Sequence, residues 1–249
     1  MVQTFNVNSL NELTTVTRSG TLTVAGTTTI AATNVTVNTQ TASRYGDKTF
    51  AKDGFSLPDG TNTFTAVAQD SAGRGDTNIS SVYLPATASF VYDSNGNLTS
   101  DGRRAFDYDD ENQLIRITVT NSWKAEFTYD GKMRRRVRKE YSWVNSAWAQ
   151  TSEVRYVYDG MLVIQERDGN NVPTVSYTRG SDPSGSLEGA GGIGGLLAMS
   201  RHSSLTSSHS FYHADGNGNV TCLINGKQVV VAKYLQRSIH QTAHLLLWD

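Results

Sequence analysis

The sequence predicts an all-β fold with two regions of different composition. Residues 20 to 85 are crowded with Thr, Val, Ala and Asn, which suit strands and turns, and no helical apolar period runs through them. After Pro85, aromatic residues come in pairs two positions apart, and each pair is followed by Asp. Because residues i and i+2 of a strand lie on the same face, this spacing is typical of strands rather than helices.

Length and charge exclude several classes of function. The chain has 249 residues, so we expect at least two domains. Its 22 Lys and Arg residues nearly balance 23 Asp and Glu residues, which leaves no field to attract nucleic acid or an anionic membrane. No apolar run approaches the roughly 20 residues of a membrane span, and no signal peptide is visible. We therefore expect a soluble chain with no nucleic-acid partner and no membrane span.

Apolar residues alternate with polar ones in the first region, which predicts strands buried on one face. The inward-facing residues are Leu22, Val24, Val35, Val37, Phe64, Ala66 and Ala68, with Thr63, Thr65 and Val67 facing outward. Short strands at this spacing predict a small two-sheet sandwich. The stretch "GFSLPDGTNTFTAVAQDSAGR" (54–74) resembles the end of bacterial immunoglobulin-like domains. That resemblance implies a spacer or adhesive module.

Four copies of one motif follow in the second region. The aromatic pairs and their aspartates are Phe90/Tyr92/Asp93, Phe106/Tyr108/Asp109, Phe127/Tyr129/Asp130 and Tyr156/Tyr158/Asp159. Each pair is expected to stack two rings on one sheet face, where cross-strand aromatic neighbours stabilise pairing. Each aspartate can bond backbone amides ahead of it and start a turn. The irregular spacing of the copies favours hairpins of different lengths over a uniform solenoid.

These copies resemble the YD-repeat family, also called rearrangement-hotspot or RHS proteins. The matching stretches are "FVYDSNGNLTSDG", "FDYDDENQLIRI", "FTYDGKMRRRV", "YVYDGMLVIQE", "YTRGSDPSGSLEGAGGIGGLLAM" and "FYHADGNGNVTCLIN". The resemblance implies irregular β-hairpins that form part of a curved β-shell wall. In bacterial members this shell encloses a toxic C-terminal segment, and related arrays in animals serve cell-surface recognition.

The combined patterns divide the chain into four segments. They are a degenerate YD-repeat strand at 1–13, with Val7 and Asn8 in the Tyr and Asp positions, an immunoglobulin-like sandwich at 14–86, the repeat region at 87–235, and an aberrant tail at 236–249. The tail departs from the family's pattern, and another reading frame there can encode Asp-Pro-Phe. We therefore expect an accidental, loosely docked tail produced by a frameshift.

One repeat loop mimics a calcium site. Asp93, Asn95, Asn97 and Asp101 have near-regular spacing, but the loop's glycine stands fourth instead of sixth. The twelfth position is Arg104, where calcium needs a bidentate acid. The sequence "SNGN" instead supplies the Asn-Gly pair of a hairpin turn. We expect a turn and no bound calcium.

Other suggestive residues also favour structural roles. His209 and His213 share one strand face but have no third ligand, and the lone Cys222 excludes a cysteine-rich zinc site. The stretch "GAGGIGGLLA" (189–198) has no Lys-Ser/Thr after it, which favours close backbone packing over phosphate binding. The basic run "KMRRRVRK" (132–139) is expected to pair with acidic "DYDDE" (107–111) on a neighbouring strand. We expect no catalytic residues, metal or cofactor.

The leading functional hypothesis is a non-enzymatic structural segment of a bacterial RHS protein that is secreted or displayed at the cell surface. Its expected partners are other YD repeats and an enclosed C-terminal effector. An alternative is a surface adhesin whose sandwich or exposed hairpins bind glycans or another cell, and exposed Trp123, Trp143 and Trp148 would suit sugar stacking. A third is a self-cleaving aspartic protease segment using Asp182, although "DPSG" (182–185) does not match the family's cleavage site.

Overall fold

A computed structural model describes residues 1–203, 207–234 and 243–246. All regular elements in these ranges are strands, so the predicted all-β class is confirmed. Within the described ranges no helix has the length and apolar character to cross a membrane. The chain divides into two compact units, of which the first covers Met1–Val91 and includes the strand Ala243–Leu246, and the second begins at Tyr92.

The first unit contains three sheets. Its strands are β1 (Val2–Val7), β2 (Leu13–Ser19), β3 (Leu22–Thr27), β4 (Asn34–Val37), β5 (Gln40–Thr41), β6 (Ser43–Arg44), β7 (Thr49–Phe55), β8 (Gly60–Gln69), β9 (Gly75–Leu84), β10 (Thr87–Ser89) and β24 (Ala243–Leu246). Strands β1, β2 and β10 form one small sheet. The other two sheets have the orders β24-β3-β7-β6 and β5-β4-β8-β9.

The two four-stranded sheets pack face to face as a β-sandwich. Their shared core consists of Leu22, Val24, Val35, Val37, Ala42, Phe50, Phe55, Phe64, Ala66 and Ala68. The predicted alternation is confirmed, because Ala66 is fully buried while the next residue, Val67, is 39% exposed. Phe55 and Phe64 meet edge to face across the core, with ring centroids 5.4 Å apart.

The sandwich is inserted between two neighbouring strands of the three-stranded sheet. Strand β2 pairs on one side with β1 and on the other with β10, so Val16 lies between Phe5 and Ala88. All strands from β3 to β9 lie in sequence between these two paired strands. We expected the sandwich to begin at residue 14. Strand β2 (Leu13–Ser19) instead lies in this small sheet, where it forms a hairpin with β1.

Arg18 fixes the base of the insertion. Its guanidinium donates hydrogen bonds to the carbonyls of Leu57, Pro58, Leu84 and Pro85, and the Pro85 bond measures 2.8 Å. Backbone carbonyls that are partly shielded from water need partners, and one planar donor fork satisfies four of them here. The entrance and exit of the sandwich are thus held together by a single half-buried side chain.

The second unit is dominated by one thirteen-stranded sheet. Its strands are β11 (Val91–Tyr92), β12 (Leu98–Ser100), β13 (Ala105–Tyr108), β14 (Leu114–Val119), β15 (Trp123–Tyr129), β16 (Arg135–Val144), β17 (Ala147–Asp159), β18 (Leu162–Arg167), β19 (Pro173–Arg179), β20 (Leu196–His202), β21 (Ser207–Ala214), β22 (Val220–Asn225) and β23 (Val230–Lys233). They pair in chain order, so the sheet is an open meander. Its buried apolar side chains are Ala125, Tyr156, Val175 and Leu223.

The expected tail falls mostly on residues that lie outside the described ranges. Its described part, β24, pairs in parallel with β3, with Ala243 opposite Val24 and Leu246 opposite Thr27.

The alternation of the sandwich strands can be tested with two neighbouring residues. Ala66→Asp would bury a carboxylate with no partner, and we expect it to abolish folding of the sandwich, at a cost of several kcal/mol. Val67→Asp places the same group on the outer face, and we expect a change of at most about 1 kcal/mol. Circular dichroism during urea unfolding measures both, and equal losses would contradict the assigned faces.

Candidate functional site

The recurrent feature of the repeat unit is a five-residue loop that begins with an acidic or amide side chain. In the loop 93–97, Asp93 Oδ1 accepts the backbone N–H groups of Asn95 and Asn97, both at 2.9 Å. The Asp93 N–H donates to the Asn97 carbonyl, and the Gly96 N–H donates to the Asp93 carbonyl. Hydrogen bonds lower the pKa of Asp93, and the bond from the Asn97 side chain contributes most. These oxygens therefore serve the turn that was expected in place of a calcium site.

Among the residues that the structure describes, the same bonding occurs at eight positions. The loops begin at Asn8, Asp70, Asp93, Asp109, Asp130, Asp168, Asp215 and Asn225. The fourth residue of every loop has a positive φ, including Gly96 (82°) and Met133 (60°). Asn8 forms this loop as well, and the assignment of residues 1–13 to a degenerate repeat stays a prediction. Because Asp70 does so inside the sandwich, the loop is a local device that is not confined to the repeats.

Asp159 differs from the other three motif aspartates. It remains in β17 and pairs with Leu162 across a two-residue turn, in which Gly160 has a φ of 54°. The Met161 N–H donates to the Glu188 carboxylate at 2.9 Å. This short turn leaves no room for the five-residue loop, so the proposed turn role of Asp159 does not apply.

The second aromatic residue of three repeats bonds to the preceding strand. The hydroxyls of Tyr108, Tyr129 and Tyr158 donate to the carbonyls of Leu98, Leu114 and Arg135 at 3.1, 2.8 and 2.9 Å. Each acceptor is the first residue of β12, β14 or β16. Burial raises the pKa of all three hydroxyls, which keeps them protonated as donors at neutral pH.

Each of these tyrosines also lies beside a β-bulge. The pairing register shifts at Tyr108, Tyr129 and Tyr158, next to the strand that follows. A bulge bends the strand and re-aims its side chains. Tyrosine therefore marks the point at which a strand stops pairing regularly and enters its turn.

In the first copy, Phe90 and Tyr92 are both half-buried, and the Phe90 N–H donates to the Thr14 carbonyl at 2.8 Å.

Three of the four first aromatic residues contact arginine, while the expected stacking of two rings in each pair stays a prediction. The Arg135 guanidinium lies 5.5 Å from the Phe127 ring centroid and 4.9 Å from the Tyr156 ring centroid. Arg104 lies 5.4 Å from the Phe106 centroid. Such cation–π contacts contribute about 0.5–1 kcal/mol at exposed sites and more when desolvated. Arginine therefore links the rings of neighbouring repeats.

Neighbouring turns also contact one another through side chains. Asn95 and Asn97 both donate to Asn112 Oδ1, at 3.0 and 2.8 Å, which joins the first two repeat loops. Arg134 binds the Asp130 carboxylate and donates to the Gly160 carbonyl at 2.6 Å, which joins the next two turns. The Arg134 bond is the main cause of the lowered pKa of Asp130.

The basic run does not pair as expected. Lys132 and Arg134 lie in the turn before β16, and Arg136 reaches Asp130 at 3.4 Å. Strands β14 and β15 separate β16 from the acidic strand β13, where Asp107 instead pairs with Arg116 at 2.7 Å. The predicted pairing was wrong because sequence proximity of opposite charges does not fix strand order.

A buried carboxylate organises the glycine-rich segment. Asp182 is 6% exposed, and its Oδ1 accepts the N–H and hydroxyl of Ser184, at 2.9 and 2.5 Å. Its Oδ2 accepts the N–H groups of Ala190 and Gly192, at 2.6 and 3.1 Å. The Ser184 hydroxyl and these amides lower the pKa of Asp182 to about 2. The carboxylate is therefore ionised and fully engaged by its own loop.

Close packing explains some glycines of this segment, while Gly191 has open space around it and a φ of 72° that favours glycine. A Cβ at Gly192 would lie 2.7 Å from the Leu162 side chain, and one at Gly195 would lie 2.7 Å from the Gly180 carbonyl oxygen. A Cβ at Gly218, in a neighbouring turn, would meet Ile193 at 2.5 Å. A larger residue at Gly195 would displace backbone, whereas one at Gly192 or Gly218 would first displace the Leu162 or Ile193 side chain.

The remaining candidate residues have local roles. Trp143 and Trp148 are cross-strand partners whose centroids lie 4.9 Å apart, edge to face, and both are half-buried rather than exposed as the adhesin hypothesis assumed. His209 Nδ1 lies 2.8 Å from the Ser200 hydroxyl. In the part of the chain that the structure describes, no three His, Cys, Asp or Glu side chains are grouped to hold a metal.

These features define an all-β protein of repeated aromatic, tyrosine and aspartate hairpins with an inserted sandwich. No family model matches the chain. Over 150 residues it is 31% identical to the tRNA3(Ser)-specific nuclease WapA of Bacillus spizizenii and to the tRNA nuclease WapA of Bacillus subtilis strain 168. The match covers 59% of this chain but only 5% of each relative.

Solved structures with a similar course of the chain come from toxin complexes. They include TcdB2-TccC3-Cdc42, at 10% identity and a TM-score of 0.39, and the Photorhabdus luminescens Tc holotoxin pore, at 9% identity and a TM-score of 0.41. Each alignment covers 93% of this chain and 11% of the other chain. At these TM-scores the similarity defines neither fold nor function.

The relatives correct one expectation. From its motifs we expected that the chain is not an enzyme. The curated proteins that match it over 150 residues are named tRNA nucleases. The expectation was wrong because it rested on motifs within this chain, which corresponds to a small part of those much longer proteins.

The tyrosine bond can be tested by removing one oxygen atom. Tyr129→Phe leaves the Leu114 carbonyl without its donor, and we expect a loss of about 1–2 kcal/mol in the free energy of unfolding. Tyr156→Phe is the matched control, because that hydroxyl has only a 3.4 Å contact with Arg135. Urea unfolding followed by tyrosine fluorescence gives both values. Equal losses in the two variants would refute a special role for the Tyr129 hydroxyl.

The lowered pKa of Asp182 predicts an acid-dependent stability. The folded-state pKa of about 2 lies below the ordinary value of 3.8, so the contribution is complete above about pH 4 and is lost as pH falls towards 2. We expect Asp182→Asn to melt below the wild type at pH 7 and to converge with it near pH 2. Asp159→Asn, which lacks these loop bonds, should match the wild type at pH 7. A difference for Asp182→Asn that is the same at both pH values would contradict the ionised role.

Proposed function

We propose that this chain is a wall segment of a much longer RHS-type toxin protein that is secreted or carried at the bacterial surface. The observation that carries the proposal is the open meander, in which thirteen strands pair in chain order. A sheet of this kind can be extended by further hairpins without rearrangement. Its side chains are mostly half-buried, as expected of a wall whose structure depends on neighbouring repeats rather than on a thick core.

The wall would enclose a C-terminal effector. The curated relatives are nucleases of which the chain spans only 5%, and we place their activity in the whole protein, with this chain as one part of it. The other partners of the wall would be further YD repeats. The sandwich would be an immunoglobulin-like spacer inserted into this array, which the pairing of β2 with β10 supports.

The two alternatives have less support. The half-buried edge-to-face pair of Trp143 and Trp148 offers no flat ring for sugar stacking. Self-cleavage through Asp182 would need a carboxylate available for proton transfer, but its oxygens accept four hydrogen bonds within its own loop.

The last strand of the sheet provides the test. Strand β23 pairs only with β22 among the described strands, and Val230 and Val231 are 54% and 52% exposed. Apart from Lys233 at its end, this edge strand is apolar, and an apolar edge invites pairing with another strand. We expect the purified chain to associate reversibly in sedimentation velocity at micromolar concentrations, and Val231→Lys to weaken this association by at least about tenfold.

Val144→Lys is the control for this experiment. Val144 is 50% exposed and lies in the same sheet, but its strand β16 is paired on both sides. It should leave association unchanged. A wild-type chain that stays monomeric at all concentrations, or equal effects of the two substitutions, would contradict an extendable wall.

A further inference from the structure

The two ends of the sandwich are not equivalent. At one end, Arg18 and the paired strands β2 and β10 anchor it to the small sheet. Strand β3 runs away from this end to Thr27, which pairs with Thr49. In the other sheet, Gln69 pairs with Gly75 at the turn between β8 and β9. The loops 28–33, 45–48 and 70–74 therefore meet at the end remote from the anchor. Loops at the free end of a sandwich are the usual place for binding sites.

A cleft opens between these distal loops. Its volume is about 630 Å³, within the range typical of small-ligand sites. The lining residues are Thr28, Thr29, Ile30, Ala32, Ala68, Gln69, Asp70, Arg74, Gly75 and Asp76. The lining thus combines hydroxyl, amide, guanidinium and carboxylate groups with one large apolar side chain.

The walls of the cleft are held rigidly. Asp70 Oδ1 accepts the N–H groups of Ala72 and Arg74, both at 2.9 Å, and its Oδ2 binds the Arg74 guanidinium at 2.7 Å. Thr33 donates through both its N–H and its hydroxyl to the Gln69 carbonyl. On the opposite wall, Lys48 Nζ donates to the Thr29 carbonyl at 3.1 Å. A cleft that is formed before binding loses little entropy when a ligand enters.

The polar groups on the cleft wall suit vicinal hydroxyls. Arg74 uses one edge of its guanidinium for Asp70 and is otherwise 77% exposed, so it can donate to a ligand. Asp76, two residues further on, is exposed and supplies an acceptor. A donor and an acceptor that line the same cleft match a diol, whose hydroxyls both donate and accept. Ile30, which is 50% exposed, offers an apolar surface for the C–H face of a sugar ring.

We propose that this distal cleft of the sandwich binds a neutral carbohydrate. The charges of Arg74 and of Lys48, whose ammonium group binds the Thr29 carbonyl, balance those of Asp70 and Asp76, which favours an uncharged, polyhydroxylated ligand over an anion or a cation. The site lies on the inserted module, so it would allow the protein to contact a glycan surface independently of what the repeats do.

The whole chain would be screened on an array of neutral glycans built from glucose, galactose, mannose and their N-acetylated amino sugars. The best binder would then be titrated by isothermal calorimetry. We expect Asp76→Ala to weaken binding at least about tenfold, because a hydrogen bond to a charged group is lost. Ile30→Trp should fill the cleft and block binding. Asp53→Ala removes an acid that is 85% exposed on the same sandwich but outside the cleft, and should leave binding unchanged.

Three outcomes would overturn the proposal. They are no retention of any neutral glycan, binding that survives both Asp76→Ala and Ile30→Trp, and binding that is lost with Trp143→Ala instead. Val231→Lys, which tests the wall, should not change glycan binding, so failure of one proposal is distinguishable from failure of the other.

Discussion

The structure depends on a side-chain oxygen that accepts two backbone N–H groups at most of the turns between repeat strands. Unpaired amides in a turn cost free energy when water is partly excluded, and the aspartate or asparagine at the start of each loop satisfies two of them. The fourth loop residue then takes a left-handed conformation, which costs about 1–2 kcal/mol for a residue such as Met133. The loop is retained there because the same bonds, together with Arg134, hold Asp130 in place.

This constraint explains how a sheet with so few buried side chains can keep its register. A strand with a weak core is prone to slip by one residue, which would exchange its two faces. Each tyrosine hydroxyl counters such a slip, because it reaches the first carbonyl of the preceding strand only in one register. The sandwich follows the opposite strategy, with ten buried residues in one cluster, and it can be inserted because Arg18 joins its two ends.

Parts of this architecture were predictable from sequence because they obey local rules. The alternation around Ala66 identified the core face, and aspartates such as Asp93 identified turns. The bond from Tyr129 to Leu114 was not predictable, because the two residues meet only through strand register. The short turn after Asp159 and the hydrogen bonds of Arg18 also depend on which strands pair, so they were not predictable from the sequence either. The relatives are named nucleases, but none of the sequence motifs described above corresponds to a nuclease site.

Amide hydrogen exchange measured residue by residue tests the central role of the loop oxygens most directly. Five of the repeat loops begin with an aspartate, at Asp93, Asp109, Asp130, Asp168 and Asp215. In each, the amides of the third and fifth residues should exchange slowly although the turns are exposed, while the amide of the second residue, such as Ser94 or Gly131, should exchange fast. Uniformly fast exchange through all five loops would show that the carboxylates do not order the turns and would contradict this account.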